Sequence, residues 1–273
     1  MKRTVAALSF FTRLPFWKLC DIPAECYKRV VPLWPIVGWV TGGIMALVYL
    51  CASFLFPPMI AALLALAARL LTTGALHEDG FADFCDGFGG GTTRERILII
   101  MKDSHIGTYG VLGLVFYALL ISTTMSEMLH DNGCNTLLFV IFNAWIIISI
   151  DIWSKYCASR IIYNLPYARN AEEAKNKQVY VDTSFREKII SLCLGLLPFI
   201  PAIALAFFAV NGWVLGIGIA AMMLTPLIVS TLMFRYIRKR IHGYTGDCCG
   251  AVFILSELSA YLACLGVSTF FNS

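Results

Sequence analysis

The stretch AALLALAARLLTTGALHEDGFADFCDGFGGG, residues 61–91, joins an apolar run to a cluster of acids and glycines. The apolar part belongs to a segment, 58–76, that approaches the roughly 20 residues a membrane-spanning helix requires. The acids follow at once, and no lysine or arginine lies between Arg69 and Arg94. A solvated helix end usually mixes both signs of charge, so this pattern favours a functional site. We therefore predict a membrane helix whose direct extension carries an acidic site.

Composition gives the fold class. Hydrophobic residues make up 59% of the 273 residues, charged residues make up only 14%, and the mean hydropathy is +0.75. Soluble domains usually carry about 25% charged residues. We predict an all-α, polytopic transmembrane helical bundle that forms a single integral membrane domain, 1–273. The net charge of +4 fits the lysine and arginine bias of membrane loops better than a nucleic-acid surface.

Apolar segments and basic residues together predict the topology. About seven segments approach the length of a span: 31–56, 58–76, 107–127, 136–154, 189–210, 212–234 and 250–271. With seven spans, every lysine and arginine except Arg69 falls on one side of the membrane. The positive-inside rule makes that side cytoplasmic, which puts the N-terminus in the cytoplasm and the C-terminus outside it. The longest polar stretch, within 155–188, becomes a cytoplasmic loop.

The N-terminal segment, 1–30, begins with charges and a short apolar run, as a signal peptide does. Arg13 and Pro15 interrupt that run early, and no cleavage site of small residues follows. We predict an uncleaved amphipathic segment at the membrane interface instead. Its expected anchors are aromatic: Phe10, Phe11, Phe16 and Trp17.

The acidic motif has the spacing of one helix face. Asp79, Asp83 and Asp86 stand at i, i+4 and i+7, so their carboxylates should repel one another unless a cation neutralises them. Carboxylate oxygens suit Mg²⁺ or Mn²⁺. Gly80 and Gly87 each follow an aspartate and would let a substrate approach the backbone closely. Glu78 points off the shared face and is left out of the ligand set.

Further ionisable residues stand where a membrane protein rarely places them. They include Asp247 in a Thr-Gly-Asp sequence, Glu257 ten residues later, and Arg69 inside the second span. Such residues are costly at membrane depth and are functional candidates by default. We predict a divalent-metal site of four carboxylates: Asp79, Asp83, Asp86 and Asp247. The cations expected to bind phosphate oxygens are Arg69, Arg94, Arg96, Lys102 and Arg160.

Four blocks in this chain resemble one known family. HEDGFADFCDG, residues 77–87, is similar to the H-x-D-G-x-A-D-x-x-D-G signature of the cobalamin synthases, which are membrane enzymes. The other matches are to FFTRLP with WPIVGWVTGG (10–15 and 34–43), IMKDSHIGTYG (100–110) and HGYTGDCCGA (242–251) with Glu257 downstream. The resemblance covers essentially the whole chain, although His242 stands where the family has glycine.

This resemblance implies a reaction and its partners. A ribazole, or its 5′-phosphate, attacks adenosylcobinamide-GDP through its ribose 3′-hydroxyl, and GMP leaves as cobalamin forms. The resemblance also implies Mg²⁺, a multi-pass location in the bacterial inner (cytoplasmic) membrane and an active site that faces the cytoplasm. No nucleic acid is expected as a partner.

The resemblance also distributes roles among the motif residues. By analogy with CDP-alcohol phosphotransferases, the last aspartate of the run, Asp86, is expected to be the general base. The expected catalytic residues are Asp86, Asp83, Lys102, Asp103 and His77. The expected substrate-binding residues are Arg13, Arg69, Gly80, Gly87, Ser104, His105, Arg160, Thr245, Gly246 and Glu257.

Two alternatives stay open on sequence alone. A CDP-alcohol phosphatidyltransferase-like enzyme shares the chemistry but should carry arginine after the motif alanine, where this chain has Asp83. A transporter should show repeat symmetry or broken helices near the membrane midplane, and neither stands out here. The ten cysteines and four histidines are scattered, which argues against a zinc site or a disulfide framework.

Overall fold

The computed structural model describes residues 1–129, 137–169, 183–208 and 212–272. Within these ranges the protein is helical, and the only strand-like pairing is one isolated bridge between Tyr167 and Tyr244. The helices are α1 (Lys2–Phe11), α2 (Ala24–Tyr27), α3 (Trp34–Ser53), α4 (Pro58–Thr73), α5 (Leu76–Gly90), α6 (Arg94–Ile100), α7 (Thr108–Leu129), α8 (Leu137–Ser159), α9 (Ile161–Asn164), α10 (Phe185–Leu196), α11 (Phe199–Phe208), α12 (Gly212–Ile241) and α13 (Gly246–Asn272). The predicted all-α class is confirmed.

The bundle is built around α13, which packs against α5, α7, α8 and α12, while α3 packs along α8. Small residues let α3 and α8 approach closely. A Cβ added at Gly38 would lie 2.7 Å from the Cα of Ile152, and one at Gly42 would lie 2.9 Å from the Cβ of Asp151. Close backbone approach of this kind is how helices gain packing contacts in lipid, where apolar burial gives no advantage.

Five described helices are long and apolar enough to cross a membrane by length and composition. The α4–α5 pair adds a sixth candidate if it is one broken span. The predicted span 189–210 coincides with two shorter helices, α10 and α11, and residues 209–211 lie outside the described ranges. The multi-pass character is thus supported, while the count of seven spans and the sides of the two termini stay predictions.

The acidic motif does not continue its preceding helix. The axes of α4 and α5 meet at 92°. The chain turns at Gly74 and Ala75, whose φ angles of 67° and 56° lie in the left-handed region. Glycine at this position is a common way to end a helix, because it adopts that conformation without steric cost. This corrects the prediction of a direct extension: α5 is a separate helix, set across the end of α4.

The N-terminal segment packs into the bundle more deeply than predicted. Phe11 is buried in the core, Phe10 and Phe16 are partly buried against it, and only Trp17 of the four predicted anchors is exposed. Phe11 is therefore a core residue and not an interfacial anchor. The predicted loop 155–188 contains the end of α8, α9 and the start of α10, and residues 170–182 lie outside the described ranges.

Candidate functional site

A cavity lies where the starts of α3, α5 and α13 meet the end of α1 and the segment 167–169. Its walls carry both acidic and aromatic side chains. The lining residues are Phe10, Phe11, Val31, Trp34, Leu76, His77, Asp79, Gly80, Tyr167, Arg169, Thr245, Gly246, Asp247, Cys249 and Gly250. Residues from the motifs at 10–15, 34–43, 77–87 and 242–251 thus meet around one space.

The acidic side chains of α5 have different surroundings, because they lie on different faces of the helix. At about 100° per residue, Asp79 and Asp83 lie on one narrow strip of the helix. Asp79 is exposed and lines the cavity, and Asp83 is half-buried one turn further along. Glu78 faces the opposite way and is buried against Arg69, with 2.9 Å between Glu78 Oε1 and Arg69 Nη2. The exclusion of Glu78 from the ligand set agrees with this contact.

The N-terminus of α13 forms the opposite wall. A Cβ added at Gly80 would lie 3.0 Å from the Cα of Asp247, so glycine permits α5 to approach α13 closely here. Thr245 Oγ1 lies 3.2 Å from Asp247 Oδ2. Because the first backbone N–H groups of a helix have no partner within it, this end of α13 favours an anionic ligand.

The segment 167–169 is fixed to this wall by two backbone hydrogen bonds. Ala168 N–H donates to the Tyr244 carbonyl at 2.8 Å, and Tyr244 N–H donates to the Pro166 carbonyl at 2.9 Å. Tyr167 and Arg169 thereby reach the cavity, and burial raises the pKa of the Tyr167 phenol. No sequence pattern marks either residue as part of a site, since Arg169 reads in the sequence only as a charge that orients the membrane helices.

The donor groups at the cavity fit Mg²⁺ in type. Asp79 and Asp247 offer carboxylate oxygens from facing helices, and Asp83 follows on the strip of Asp79. Among the described residues, no three His, Cys, Asp or Glu side chains are placed to hold a metal ion by themselves. Mg²⁺ usually keeps several waters and takes one or two carboxylates together with substrate phosphates. The arrangement therefore suits a metal that arrives with a diphosphate better than a permanent metal cage.

Asp86 has partners that its predicted roles did not include. Its Oδ2 accepts the Gly107 N–H at 2.7 Å, and its Oδ1 accepts the Gly110 N–H at 2.8 Å. Both oxygens thus bind the N-terminus of α7, and the residue is only 8% exposed. These contacts are those of a helix anchor, and the roles of Asp86 as general base and metal ligand stay predictions.

The loop between α6 and α7 stands apart from the cavity. Lys102, Asp103, Ser104 and His105 are all exposed, and none of them lines it. Asp103 accepts a hydrogen bond from the backbone N–H of His105 and also contacts its ring. These hydrogen bonds lower the pKa of the Asp103 carboxyl. The catalytic and substrate-binding roles predicted for these four residues therefore have no support in this geometry.

Three other residues predicted to contact substrate do not line the cavity: Gly87, Arg160 and Arg13. Gly87 packs on α6, where an added Cβ would lie 2.4 Å from Met101 Cγ. Arg160 lies over the Phe234 ring and donates to Ser230 Oγ at 3.3 Å, between α8 and α12. The backbone N–H of Arg13 donates to the Thr72 carbonyl at 2.8 Å, and its side chain covers the turn at Gly74. The contacts of these three residues are packing contacts, and their substrate-binding roles stay predictions.

Arg69 and Glu257 belong to a buried charge network, not to the cavity wall. Arg69 is 1% exposed and hydrogen-bonds to Glu257, Glu78 and Tyr117. Lys155 pairs with Asp151, which lies 4.0 Å from Arg69 and accepts a hydrogen bond from Thr41. We define this buried charge network as Thr41, Arg69, Glu78, Tyr117, Asp151, Lys155 and Glu257. Its members come from α3, α4, α5, α7, α8 and α13. Arg69 and Glu257 thus join helices, and their substrate contacts stay predictions.

His77 lines the cavity from inside an aromatic cluster. Its ring stacks on Trp34 with centroids 5.7 Å apart and meets the edge of Phe253 at 4.6 Å. Phe11 lies against Trp34 at 4.9 Å. These contacts place the His77 ring at the cavity. Among the described residues no carboxylate hydrogen-bonds to this ring, so its contacts do not mark it as a proton carrier. Trp34 stands in the motif at 34–43, yet no sequence signal marks its ring as a wall of the site.

Comparison with known proteins shows one family throughout. A family model described as cobalamin-5-phosphate synthase matches residues 3–265. Adenosylcobinamide-GDP ribazoletransferase of Shewanella frigidimarina is 34% identical over 261 residues, covering 96% of this chain and 93% of the relative. The enzymes of the same name from Vibrio parahaemolyticus and Leptothrix cholodnii are 35% and 36% identical, over 96% and 95% of this chain and 91% and 93% of those relatives. No solved structure matches this chain.

Proposed function

Because the chain belongs to the cobalamin-5-phosphate synthase family, we propose that its ribazoletransferase reaction takes place in the cavity between Asp79 and Asp247. The family and the named relatives indicate adenosylcobinamide-GDP ribazoletransferase activity in the assembly of the cobalamin nucleotide loop. The observation that carries the location is the meeting of two carboxylates, an arginine and a helix N-terminus around one space.

The reaction joins a nucleoside to a phosphate. The 3′-hydroxyl oxygen of ribazole, or of its 5′-phosphate, forms a bond to the phosphorus that carries the cobinamide. The bond from that phosphorus to the bridging oxygen breaks, and GMP leaves with the bridging oxygen. The hydroxyl proton passes to a carboxylate of the set formed by Asp79, Asp83 and Asp247, two of which line the cavity.

The same three carboxylates are the residues that would hold Mg²⁺. When bound, Mg²⁺ would neutralise the diphosphate and stabilise the negative charge that builds on the bridging oxygen. Asp79 and Asp247 stand on facing helices, so they can take a diphosphate-bound ion from two sides.

Positive groups at the cavity would hold the phosphate oxygens. Arg169 lines the cavity, and one of its nitrogens already donates to the Leu98 carbonyl at 3.2 Å, which fixes its position. The backbone at Thr245 and Gly246 begins α13 and presents the positive end of the helix dipole. We assign substrate contacts to Thr245 and Gly246, as predicted, and add Arg169.

The basic residues near the cavity support a cytoplasmic location for that end of the bundle. Arg238, Lys239 and Arg240 end α12 immediately before the cavity wall, and Arg94 begins α6 nearby, with its Nη2 donating to the Ala168 carbonyl at 2.8 Å. The positive-inside rule would place this end of the bundle in the cytoplasm, where nucleotide substrates are found. We propose a multi-pass protein of the bacterial inner membrane whose cavity opens to the cytoplasm.

The test is turnover by the purified protein in lipid nanodiscs. Adenosylcobinamide-GDP, α-ribazole and Mg²⁺ should give cobalamin and GMP in equal amounts, and chelation of the metal should stop both. Asp247→Asn should reduce turnover by roughly 10³-fold, because it removes charge at the reacting phosphates. Asp21→Asn, an exposed acid outside the cavity, is the control and should leave turnover unchanged. Full activity in Asp247→Asn, or GMP release that does not need ribazole, would contradict the proposal.

A further inference from the structure

We propose that the C-terminal end of α12 binds anionic phospholipid headgroups through Arg235 and Lys239, two exposed cations on one face of the helix. The site is separate from the cavity, so the inference stands whether or not the proposed reaction takes place there. It also goes beyond the bias of basic residues toward one side of the membrane, because it distinguishes the cations of this helix end that meet lipid from those that bind the protein itself.

Helix α12 exposes one apolar stripe along its length. The members of the stripe are Ile217, Leu224, Ile228 and Leu232. They are between 42% and 56% exposed, and at about 100° per residue they fall within an arc of about 80°. Because α12 is long and apolar enough to cross a membrane, this stripe faces lipid. The same arc continues into Arg235 and Lys239, so the lipid-facing stripe ends in two positive charges.

The length of the stripe gives the depth of these charges. From Trp213 to Leu232 the helix rises about 28 Å at about 1.5 Å per residue, close to the hydrocarbon thickness of about 30 Å. The exposed side chains of Trp213 and Tyr236 mark the two ends, and such residues are typical of the two membrane interfaces. Long basic side chains at a helix end extend toward the headgroups. Arg235 and Lys239 therefore lie at the level of the lipid phosphates.

The cations of this helix end differ in their partners. Arg238 and Arg240 each donate a hydrogen bond to a backbone carbonyl of another segment. Arg235 and Lys239 have no side-chain hydrogen bond or ion pair to residues within the described ranges. Their charges are thus available to a partner outside the chain, and the lipid phosphate is the anion that the membrane offers at this depth.

A second copy of the chain would be a poor occupant of this stripe. In a two-fold dimer with parallel α12 helices, the stripe would face itself and bring the same two cations together. Like charges across an interface repel each other and disfavour that partner. An anionic lipid instead places its acyl chains along Ile228 and Leu232 and its phosphate beside Arg235 and Lys239, which matches the stripe in both polarity and charge.

Native mass spectrometry of the full-length protein in detergent tests the site, because it gives a Kd for each lipid added. The probes are phosphatidylglycerol, which is anionic, and phosphatidylcholine, which has no net charge. Arg235→Gln and Lys239→Gln each remove one charge, and Arg235→Lys keeps the charge at its position. Arg238→Gln is the matched control, because it removes the same charge from the same helix end at a residue that binds a protein carbonyl.

We expect the wild type to bind phosphatidylglycerol more tightly than phosphatidylcholine. Each single glutamine variant should weaken phosphatidylglycerol binding about fivefold, since one basic residue near an anionic lipid contributes roughly that factor. The double variant should lose most of the preference, whereas Arg235→Lys and Arg238→Gln should stay within about twofold of the wild type. Phosphatidylglycerol should also raise the unfolding temperature of the wild type but not of the double variant.

Three results would overturn the inference. The first is equal binding of the two lipids by the wild type. The second is the same loss in Arg238→Gln as in the other glutamine variants, which would indicate a diffuse effect of charge and no site. The third is a dimer in the same spectra that strengthens in the double variant while the lipid preference stays unchanged, which would identify a second copy as the occupant.

Discussion

Glu78 and Asp79 are neighbours in the sequence and acids of the same class, yet the structure gives them opposite surroundings. Glu78 is 5% exposed and pairs with Arg69 in the buried charge network. Asp79 is exposed and lines the cavity. The turn of about 100° between successive helical residues separates them. A charged side chain in a membrane protein can therefore serve helix association or substrate chemistry, and the face of the helix decides which.

The two regions also differ in how their charges are neutralised. In the buried charge network, Arg69 and Lys155 stand among three carboxylates, and the hydroxyls of Tyr117 and Thr41 donate to Glu257 and Asp151 at 2.8 and 2.5 Å. Most of the groups that neutralise these buried charges belong to the protein itself. At the cavity, Asp79 and Asp247 face a space that a metal and a diphosphate would fill. Substitutions should separate the two regions, with stability lost in the first and turnover lost in the second.

The largest effect on stability should come from Arg69→Met. It would leave Glu78 and Glu257 buried without their shared cation, and breaking a buried ion pair typically costs about 3–5 kcal/mol. The free energy of unfolding, measured by denaturant titration in mixed micelles, should fall by that amount. Arg160→Met, at a half-buried arginine outside the buried charge network, should cost much less. Equal losses for the two variants would mean that the buried charge network has no special role.

A smaller loss of stability should follow Asp86→Ala. This change removes two hydrogen bonds from backbone N–H groups of α7 to a charged acceptor, and it should cost about 2 kcal/mol. Turnover per folded molecule should stay within about tenfold of the wild type. A loss of roughly 10³-fold in turnover at unchanged stability would restore Asp86 as a catalytic base.

The smallest loss of stability should come from Glu187→Gln, at the surface contact that joins α1 to α10. Partial burial opposes ionisation of Glu187, but hydrogen bonds from Arg3 and from the Ser184 N–H outweigh it and lower the pKa of the carboxyl. Surface ion pairs contribute about 1 kcal/mol or less. Because the folded pKa is depressed, this stabilisation exists above the unfolded pKa and disappears as the pH falls through the folded pKa.

Unfolding of the wild type and Glu187→Gln at several pH values checks this sign. The difference between them should be present near pH 6 and should shrink as the pH falls below the ordinary glutamate pKa. A difference that grows as the pH falls would contradict the assignment. Glu25→Gln is the control, since Glu25 pairs with Lys28 on the exposed surface and with no other basic residue in the described ranges.

Much of the fold could be predicted from sequence, because apolar segment length and basic-residue placement report directly on membrane helices. The 92° turn at Gly74 could not, since a single glycine at the end of an apolar run is equally compatible with a straight helix. Asp79 and Asp247 were predicted as members of one site of four carboxylates because each stands in a motif, and both line the same cavity. The backbone partners of Asp86 could not be predicted, because helical spacing gives the face of a residue but not the neighbour that binds it. The ion-pair partners of Arg69 could not be predicted either, because a charge in a span marks importance without saying which partner it meets.

The most direct test of the account compares Asp79→Asn with Glu78→Gln in the same nanodisc preparation. Each change replaces one carboxylate by an amide of nearly equal size on adjacent residues of α5. Turnover of adenosylcobinamide-GDP with α-ribazole is measured per folded molecule, together with the free energy of unfolding. We predict that Asp79→Asn keeps wild-type stability and loses roughly 10³-fold in turnover, whereas Glu78→Gln loses stability and keeps turnover. Near-normal turnover in Asp79→Asn would contradict the account.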